Sequence, residues 1–264
     1  MLVSVSCCTE SFAQQGNPQP RLRLFLPIEA ESFPQLIETL ENKFSEYGFN
    51  NIKVATVDDW HDYQQGLRHG RVGLYLAPPH FAAWAIEKHN FQPLLRISKP
   101  LSYVITTTRQ NPSLFEVNDL VGRTVCTGSP LNLDYLLLNQ ALEKSVRSAK
   151  IEIVGSVEQE MRLPETTCDA FSVSLHIFAK FAINQPDRWI RLQQSSPLNN
   201  YVLLAHPDIS PNQLSNVKAY LSSDIGQQLL FPVLNLFADG ARLIPARVED
   251  YPAMYSKVLA RYWQ

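Results

Sequence analysis

The sequence predicts an α/β fold of two lobes, each a mainly parallel sheet flanked by helices, with two extended strands crossing between them. Short apolar runs of strand type alternate with helical patterns from residue 21 to residue 90, which is the order of parallel β/α units. Extended segments at 101–109 and 199–207 interrupt this order, and a second β/α run lies between them. The 264 residues suffice for one large domain or two lobes.

The first run is predicted to contain three strands, each followed by a helix. Residues 32–48 have the 3.6-residue period of a helix, with apolar side chains at Phe33, Leu36, Ile37, Leu40 and Phe44. Ser32 is placed to cap this helix and Gly48 to end it. The strands are predicted at 21–28, 51–57 and 71–79, and the shorter helices at 58–70 and 80–90.

The second run begins with the extended segment 101–109 and passes through a short helical turn into a strand that ends at Gly128. A leucine-rich helix is predicted from there to about residue 147. Further strands, with helical pieces between them, are predicted in KIEIVGS, DAFSVSLHIFAKFA, RWIRLQQ and NNYVLLAHP. The chain closes with helical patterns at 210–231 and 249–261.

These elements divide the chain into a leader and two lobes. Lobe 1 is predicted to comprise 21–103 and 203–264, and lobe 2 to comprise 104–202. In open α/β sheets, ligands bind beyond the carboxyl ends of the strands, where the amino ends of the helices converge. The sequence therefore predicts a ligand cleft between the lobes.

Composition and charge restrict the class of function. The net charge of −2 lacks the basic excess of a nucleic-acid binder, so no nucleic-acid partner is predicted. No apolar run reaches the roughly 18 residues that cross a membrane. The sequence contains no G-x-S-x-G elbow, phosphate loop, HExxH pair or paired-cysteine metal motif. We therefore predict neither an enzyme nor a metal site nor a cofactor.

Residues 1–20 differ in composition from the rest of the chain, since they begin apolar and small and then become polar. Ser11-Phe12-Ala13 before Gln14 resembles a small-x-small cleavage site, but no basic segment precedes the apolar stretch. We interpret this segment either as the remnant of a signal peptide or as a disordered leader. The first interpretation predicts a periplasmic or otherwise extracytoplasmic protein.

The four cysteines fall into two groups. Cys7 and Cys8 lie in the leader, and Cys126 and Cys168 lie in the folded part. A disulfide requires Cα atoms within about 7 Å, a distance that the sequence does not reveal. Two separate buried thiols are favoured over a bridge, although an oxidising compartment would permit one.

A small, hydroxyl-bearing turn, Gly128-Ser129-Pro130, is predicted to open the leucine-rich helix, with Pro130 at the first helical position. The unpaired N–H groups and the positive end of the helix dipole suit an oxyanion. Ser129 and Asn132 can add donors beside the Gly128 backbone. The alternative is that Ser129 only caps the helix. Asp134 argues against a strongly anionic ligand close by.

Lobe 1 supplies a second group of ligand candidates. The indole of Trp60 can shield a ligand and the carboxylate of Asp59 can receive a cationic group; the alternative is a core tryptophan and an acid that favours a helix start. His80 opens the next helix and can donate to an anion, or it is an exposed or capping histidine. Tyr75, on the strand before that helix, is a further candidate.

The crossing strands supply a third group. The outward strand offers Ser102, Tyr103 and Thr106 to line the cleft, and the return strand offers Asn199, Asn200 and Tyr201. Hinge packing is the alternative for all six. His176 is interpreted as an ordinary, partly buried histidine.

The order of these landmarks resembles the periplasmic substrate-binding proteins of phosphonate, phosphite and phosphate ABC transporters, which have a type II periplasmic-binding fold. RLRLFLPIEAESFPQLIETLENKFSEYG resembles the opening strand and helix of that family. SYVITTTRQNPSLFEVNDLVGRTVCTGSP resembles its crossing strand, acidic turn and ligand loop. CDAFSVS resembles its second-lobe strand, and SSPLNNYVLLAHPDIS its return crossing. The resemblance covers roughly residues 21–245.

This resemblance implies an extracytoplasmic solute-binding protein that captures a small oxyanion of phosphonate or phosphate type and delivers it to an ABC permease. It also implies a monomer without catalytic activity. The family has a Ser/Thr-rich turn where this chain has GSPLNLD, which puts phosphonate itself in doubt. The alternative is therefore a ligand-sensing module of the same fold, with a non-phosphonate ligand, that reports to a sensor kinase or another signalling partner.

Overall fold

Two separate β-sheets organise the protein, as the sequence predicts. The computed structural model describes residues 22–28, 34–46, 49, 52–56, 60–129, 132–143 and 149–253. Within those residues one sheet has six strands and the other has five, and helices pack against both. The prediction of a two-lobe α/β architecture is confirmed.

Strands and helices alternate along most of the described chain. The strands are β1 (Leu22–Phe25), β2 (Ile52–Ala55), β3 (Leu74–Ala77), β4 (Gln92–Ile97), β5 (Tyr103–Thr108), β6 (Thr124–Thr127), β7 (Lys150–Ile153), β8 (Ala170–Ser174), β9 (Trp189–Gln194), β10 (Val202–Ala205) and β11 (Leu243–Pro245). The helices are α1 (Pro34–Glu46), α2 (Trp60–Arg68), α3 (Pro79–His89), α4 (Leu133–Leu142), α5 (Val157–Arg162), α6 (Leu175–Asn184), α7 (Pro211–Ser222) and α8 (Asp224–Phe237). Short 3-10 turns lie at Val117–Leu120 and Val248–Asp250.

The six-stranded sheet has the order β11-β4-β10-β3-β1-β2 and belongs to lobe 1. Strands β1, β2 and β3 pair in parallel, whereas β10 is antiparallel to both β3 and β4. Leu24, Leu74, Leu95 and Leu203, on four different strands of this sheet, are each at most 2% exposed. Burying such a side chain contributes about 1.5–3 kcal/mol, so this layer is a main source of stability in lobe 1.

The five-stranded sheet has the order β7-β6-β8-β5-β9 and belongs to lobe 2. Strands β6, β7 and β8 pair in parallel, and β5 is antiparallel to both β8 and β9. The strands β5 and β10, which follow the crossings between the lobes, each run opposite to their neighbours. In lobe 2 only β5 has this direction among the described strands, whereas in lobe 1 β11 shares the direction of β10, since it is antiparallel to β4.

Two connections cross between the sheets, at 98–102 and 195–201. Leu101 and Leu198 pair in an isolated antiparallel bridge, so the two connections run side by side. The amide of Asn200 donates to the carbonyl of Lys99 at 3.0 Å, and its side-chain oxygen accepts from the N–H of Tyr201 at 2.7 Å. These bonds tie one crossing to the other. The predicted lobe limits at 103/104 and 202/203 remain a prediction.

The helix predicted at 210–231 is two helices. Ser223 ends α7 and caps α8, because its hydroxyl donates to the carbonyl of Tyr220 and accepts from the N–H of Gly226 at 3.2 Å. A Cβ atom at Gly226 would collide with the carbonyl oxygen of Tyr220. The helix predicted at 249–261 begins instead as the 3-10 turn Val248–Asp250, and its residues beyond 253 lie outside the described ranges.

The prediction of two separate thiols is wrong, since Cys126 and Cys168 form a disulfide with a Cα–Cα distance of 5.6 Å. Cys126 lies on β6, and Cys168 lies in the loop that enters β8, the neighbouring strand. Adjacent strands are about 4.8 Å apart, so this neighbourhood brings the two Cα atoms within bonding range. The sequence does not reveal which strands are neighbours, and that is why the pairing was missed.

Within the described ranges, no helix is both long and apolar enough to span a bilayer.

Candidate functional site

A cavity of about 370 Å³, called here the cleft, lies between the lobes. Residues from both lobes and from both crossings line it: Pro78, His80, Tyr201, Leu236 and Phe237 from lobe 1 and the return crossing, and Leu101, Tyr103, Gly128, Asn132, Leu133, Asp134, Gly155, Ser156, Val157, Glu158, Val173, Ser174 and Ile177 from the outward crossing and lobe 2. A ligand held here contacts both halves of the protein.

The amino ends of four helices meet at the cleft. Pro78, Asn132, Ser156 and Ser174 are the N-cap residues of α3, α4, α5 and α6, and all four line it. This follows from the local sequence order, because each helix comes directly after a strand whose carboxyl end reaches the same edge of its sheet. The positive ends of the helix dipoles favour negative charge in the cleft.

In two of these four helices, the side chain of the N-cap serine caps the amino end. The hydroxyl of Ser156 accepts from the N–H of Gln159, and that of Ser174 accepts from the N–H of Ile177, each at 3.3 Å. Pro78 and Asn132 make no side-chain cap. The first-turn N–H groups of α3 and α4 are therefore left to other partners.

The side chain of Asp134 occupies the amino end of α4. Its Oδ2 atom accepts from the hydroxyl of Thr127 at 3.1 Å and from the N–H of Gly128 at 3.3 Å. Burial raises the pKa of this carboxyl, while hydrogen bonds from Gly128, Thr127, Tyr135 and its own N–H oppose that rise in pKa. The N–H of Gly128, one of the donors that the predicted anion turn would offer to a ligand, is thus taken by a carboxylate of the protein itself.

Gly128 makes this arrangement possible. A Cβ atom at residue 128 would lie 2.8 Å from Nδ2 of Asn132 and 3.3 Å from Oδ2 of Asp134. The Oδ1 atom of Asn132 is buried and has no hydrogen-bond partner within the described part of the chain. A side chain at residue 128 would therefore crowd Asn132 and Asp134, and the turn presents one buried acceptor, Oδ1 of Asn132, beside the cleft.

Two phenols line the cleft together with Asp134. Burial raises the pKa of Tyr103 well above its usual value, and the nearby Tyr201 and Asp134 raise it further. Burial also raises the pKa of Tyr201, with Asp134 as the second cause. Both hydroxyls consequently stay protonated at physiological pH and can donate to a ligand.

His80 joins the cleft to a second cavity. It is 1% exposed and stacks on Phe81 with ring centroids 4.3 Å apart. His80, Tyr103 and Leu133 also line the neighbouring cavity of about 610 Å³, whose other walls include Leu137 and Gln193. The two cavities therefore share one wall.

Acidic groups outnumber basic ones in the cleft. Asp134 and Glu158 line it, and within the described residues no lysine or arginine does. Glu158 lies 3.8 Å from Arg162 of its own helix, and both side chains are well exposed. Positive potential in the cleft thus comes from helix amino ends and neutral donors rather than from charged side chains.

The structure brings some of the predicted ligand residues together and separates others. His80, Tyr103, Gly128 and Asn132 line the cleft, whereas Tyr75, Ser102, Ser129 and Asn200 are outside its lining. Trp60 is the first residue of α2, but its side chain lies outside the described residues, as does all of Asp59.

Each residue outside the lining has a structural role. Tyr75 stacks on Phe25 at 4.4 Å in the core of lobe 1, and its hydroxyl donates to the carbonyl of Arg71 at 2.9 Å. Asn200 is fully buried and bonds the two crossings together. The carbonyl of Ser102 accepts from the N–H of Leu175 at 2.8 Å.

The helix after the turn begins later than predicted. Asn132 is its N-cap and Leu133 its first residue; the prediction that Pro130 occupies the first helical position concerns a residue outside the described ranges. Ser129 does not cap the helix; its carbonyl accepts from the N–H of Asn132 at 2.9 Å. Asp134 takes the capping role because its carboxylate reaches back to the residues that precede the helix.

Several lining residues were absent from the predicted set, among them Ser156, Glu158, Ser174 and Phe237. The Ser156-to-Gln159 spacing has the capping-box pattern and could have indicated a helix start. Phe237 gives no such signal, because only the packing of α8 against the crossing brings it to Tyr201, with ring centroids 4.2 Å apart.

Comparison with solved structures shows the fold. PhnD1 from Prochlorococcus marinus in complex with methylphosphonate has a TM-score of 0.72 at 15% identity, covering 91% of this chain and 97% of that one. XAC2383 from Xanthomonas citri bound to ATP has a TM-score of 0.69 at 17% identity, with the same coverage. A binding-protein component of an ABC phosphonate transporter from Pseudomonas aeruginosa has a TM-score of 0.63 at 11% identity, covering 86% and 82%. The predicted periplasmic-binding-protein fold is confirmed.

Comparison with curated proteins gave no match. The sequence model of the periplasmic substrate-binding proteins of phosphonate ABC transporters matches residues 29–251. This match spans both lobes and all four helix amino ends of the cleft, so the chain belongs to the family of periplasmic phosphonate-binding proteins of ABC transporters.

Proposed function

We propose that this protein captures a small phosphorus oxyanion, of phosphonate or phosphate type, in the cleft and delivers it to an ABC importer. The observation that carries the proposal is the convergence of the amino ends of α3, α4, α5 and α6, from both lobes, on one cavity of about 370 Å³. Helix amino ends present N–H donors and a positive dipole end to an anion.

Neutral donors complete the proposed site. The hydroxyls of Tyr103 and Tyr201 and the imidazole of His80 lie in the lining beside the amino ends of α3 and α4. Tyr103 and the α4 turn belong to the lobe 2 side, whereas His80 belongs to lobe 1, so an anion bonded to all of them favours lobes held together. Closure driven by greater affinity for the closed form is the way a hinged two-lobe protein responds to its ligand.

The family role supports delivery to a membrane permease outside the cytoplasm, since the family consists of periplasmic substrate-binding proteins of ABC transporters. The disulfide between Cys126 and Cys168 supports the same location, because disulfides persist mainly in oxidising compartments. A monomer without catalytic activity fits this role. In a structural neighbour from Prochlorococcus marinus, the bound molecule is methylphosphonate.

A thermal-shift titration tests the proposed ligand class. The Tm of purified protein is measured with methylphosphonate, phosphate and phosphite. Sulfate, amino acids and polyamines are measured in the same way, as solutes of other chemical classes. At about 100 times the Kd, a bound oxyanion stabilises the native state by about 2.7 kcal/mol, which is roughly 5–10 °C in Tm for a protein of this size. A rise only with cationic or neutral solutes contradicts the proposal.

Paired tyrosine variants locate the ligand. Tyr103→Phe combined with Tyr201→Phe removes two donors to the anion and should weaken binding on the order of 100-fold, at about 1.5 kcal/mol for each charged hydrogen bond. Tyr75→Phe is the matched control, since it loses a phenol hydroxyl that bonds to Arg71 outside the cleft. Equal affinity in the double variant and the control would place the ligand elsewhere.

A ligand-sensing module that reports to a sensor kinase is the second candidate. The acidic lining, Asp134 and Glu158 without a lysine or arginine among the described residues, favours it because that charge pattern suits a solute other than a simple dianion. Neighbouring genes separate the two functions: a permease and an ATPase support transport, and a kinase supports sensing.

A further inference from the structure

Asp134 holds the position at which the α4 turn would bind an anion. Its carboxylate accepts from the N–H of Gly128 and the hydroxyl of Thr127, and its side chain also lines the cleft. A ligand oxygen that approaches this turn therefore meets a carboxylate oxygen instead of free donors. A Cβ atom at residue 128 would lie 3.3 Å from the carboxylate, so glycine leaves room for the close approach.

A fully deprotonated oxygen beside Asp134 is repelled. Two like charges repel each other, and in the described lining no lysine or arginine offsets that repulsion. The helix dipoles supply only partial charges. A ligand oxygen that carries a proton can instead donate a charge-assisted hydrogen bond to the carboxylate.

We infer that Asp134 makes the cleft select oxyanions that carry a proton over oxyanions of the same shape and charge that carry none. The inference rests on the proposed function, since it specifies which oxyanions that cleft accepts. A hydrogen phosphonate monoanion has one P–OH group to donate to Asp134. A sulfonate monoanion has the same charge and nearly the same shape, and it has no such donor.

Other groups that face Asp134 do not reverse this selection. Tyr103 on β5 and Tyr201 on the return crossing are neutral donors, and His80 on α3 lies on the opposite wall. Glu158 on α5 is a second acid, partly engaged by Arg162, and it adds to the repulsion of a dianion. The tyrosine hydroxyls can bind the remaining ligand oxygens, which carry the negative charge.

The test compares the affinities of methylphosphonate and methanesulfonate for the purified full chain by calorimetric titration at pH 6. The wild-type protein should prefer methylphosphonate by at least about 100-fold, because a site with a committed hydrogen-bond partner rejects an analogue that lacks the matching group. As the pH rises through the second ionisation of methylphosphonate, the affinity for it should fall while that for methanesulfonate does not.

Asp134→Asn supplies the matched variant, because its neutral amide can donate to a deprotonated oxygen. The preference should drop to within about 10-fold, mainly through a gain for methanesulfonate. Asp208→Asn, which alters an acid that is 75% exposed and lies outside the cleft lining, is the control and should keep the wild-type preference. The wild-type ratio and its pH dependence test the inference even if Asp134→Asn does not fold.

The outcomes separate the inference from the proposed function. Equal binding of the two ligands by the wild type, or an unchanged ratio in Asp134→Asn, overturns the inference while the oxyanion-binding function stands. Taurine and 2-aminoethylphosphonate both carry an ammonium group. If the protein binds these two equally tightly and binds methylphosphonate weakly, Asp134 receives the ammonium group, and this result also overturns the inference. Absence of binding for every oxyanion overturns the proposed function and the inference together.

Discussion

Nδ1 of His176 lies 3.5 Å from Oδ2 of Asp239, and this contact joins α6 of lobe 2 to the segment after α8 of lobe 1. The imidazole also bonds to the backbone of Asn235 near the end of α8. The neighbouring residues Ile177, Leu236 and Phe237 line the cleft. His176 therefore sits at a contact between the lobes, next to the ligand site.

The pH dependence of this contact is our first prediction. Burial, and then the nearby Lys180, lower the pKa of His176, although Asp239, Asn235 and Glu158 oppose this effect. Because the pKa is lower in the folded state, the stability from neutral His176 is present above about pH 6.5 and is lost as the pH falls through the folded pKa. The unfolding free energy of the wild type should fall more between pH 7.5 and 5.5 than that of His176→Gln. Parallel profiles would contradict the prediction.

Reduction of the disulfide is the second prediction. The bond between Cys126 and Cys168 closes a loop of sequence separation 42 and fixes the entry to β8 beside β6. Its loss should lower the unfolding free energy by about 4 kcal/mol, the chain-entropy value for a loop of this length. Urea unfolding with and without reductant measures the change. The double variant Cys126→Ala, Cys168→Ala is the control, because reductant should not alter its stability even though Cys7 and Cys8 remain.

Local periodicity predicted the helices of lobe 1 well. The apolar period through Leu40 and Phe44 predicted α1, and both side chains are at most 1% exposed against the sheet. The turn residues Gly70 and Asn90 follow α2 and α3, and both have a positive φ, of 61° and 56°. The apolar period that predicted α1 depends on residues close together in the chain, which is why the sequence alone revealed this helix.

Features that depend on distant residues were not predictable in the same way. The disulfide depends on β6 and β8 being neighbours, although α4, β7 and α5 lie between them in sequence. The role of Asp134 depends on its side chain turning back to Gly128 and Thr127, so the sequence placed an acid near the turn without showing that it fills the turn. The sequence also assigned Tyr75 to the cleft, whereas its strand directs it into the lobe 1 core.

Our third prediction is that a methyl group added at residue 128 destabilises the protein. Gly128→Ala brings Cβ to 2.8 Å from Nδ2 of the Asn132 side chain and to 3.3 Å from Oδ2 of Asp134, so these two side chains must move away from the turn. Overpacking of this kind should lower the unfolding free energy by about 1–3 kcal/mol. Gly155→Ala is the matched control in the same lining, because no atom lies within 4 Å of its added Cβ, and its stability should stay within about 0.5 kcal/mol of wild type. Equal stability of both variants would mean that the turn tolerates a side chain.

The last prediction separates the hinge role of Asn200 from the ligand contact expected of it. Its amide donates to the carbonyl of Lys99 and accepts from the N–H of Tyr201, and its own carbonyl accepts from the hydroxyl of Tyr251 at 2.8 Å. Asn200→Ala removes the partners of two backbone groups, the carbonyl of Lys99 and the N–H of Tyr201, and should cost about 2 kcal/mol of unfolding free energy. Asn199→Ala, which loses only the bond to the carbonyl of Asp250, should cost about 1 kcal/mol. If Asn200→Ala instead kept wild-type stability and lost oxyanion affinity, Asn200 would be a ligand residue and not a hinge residue.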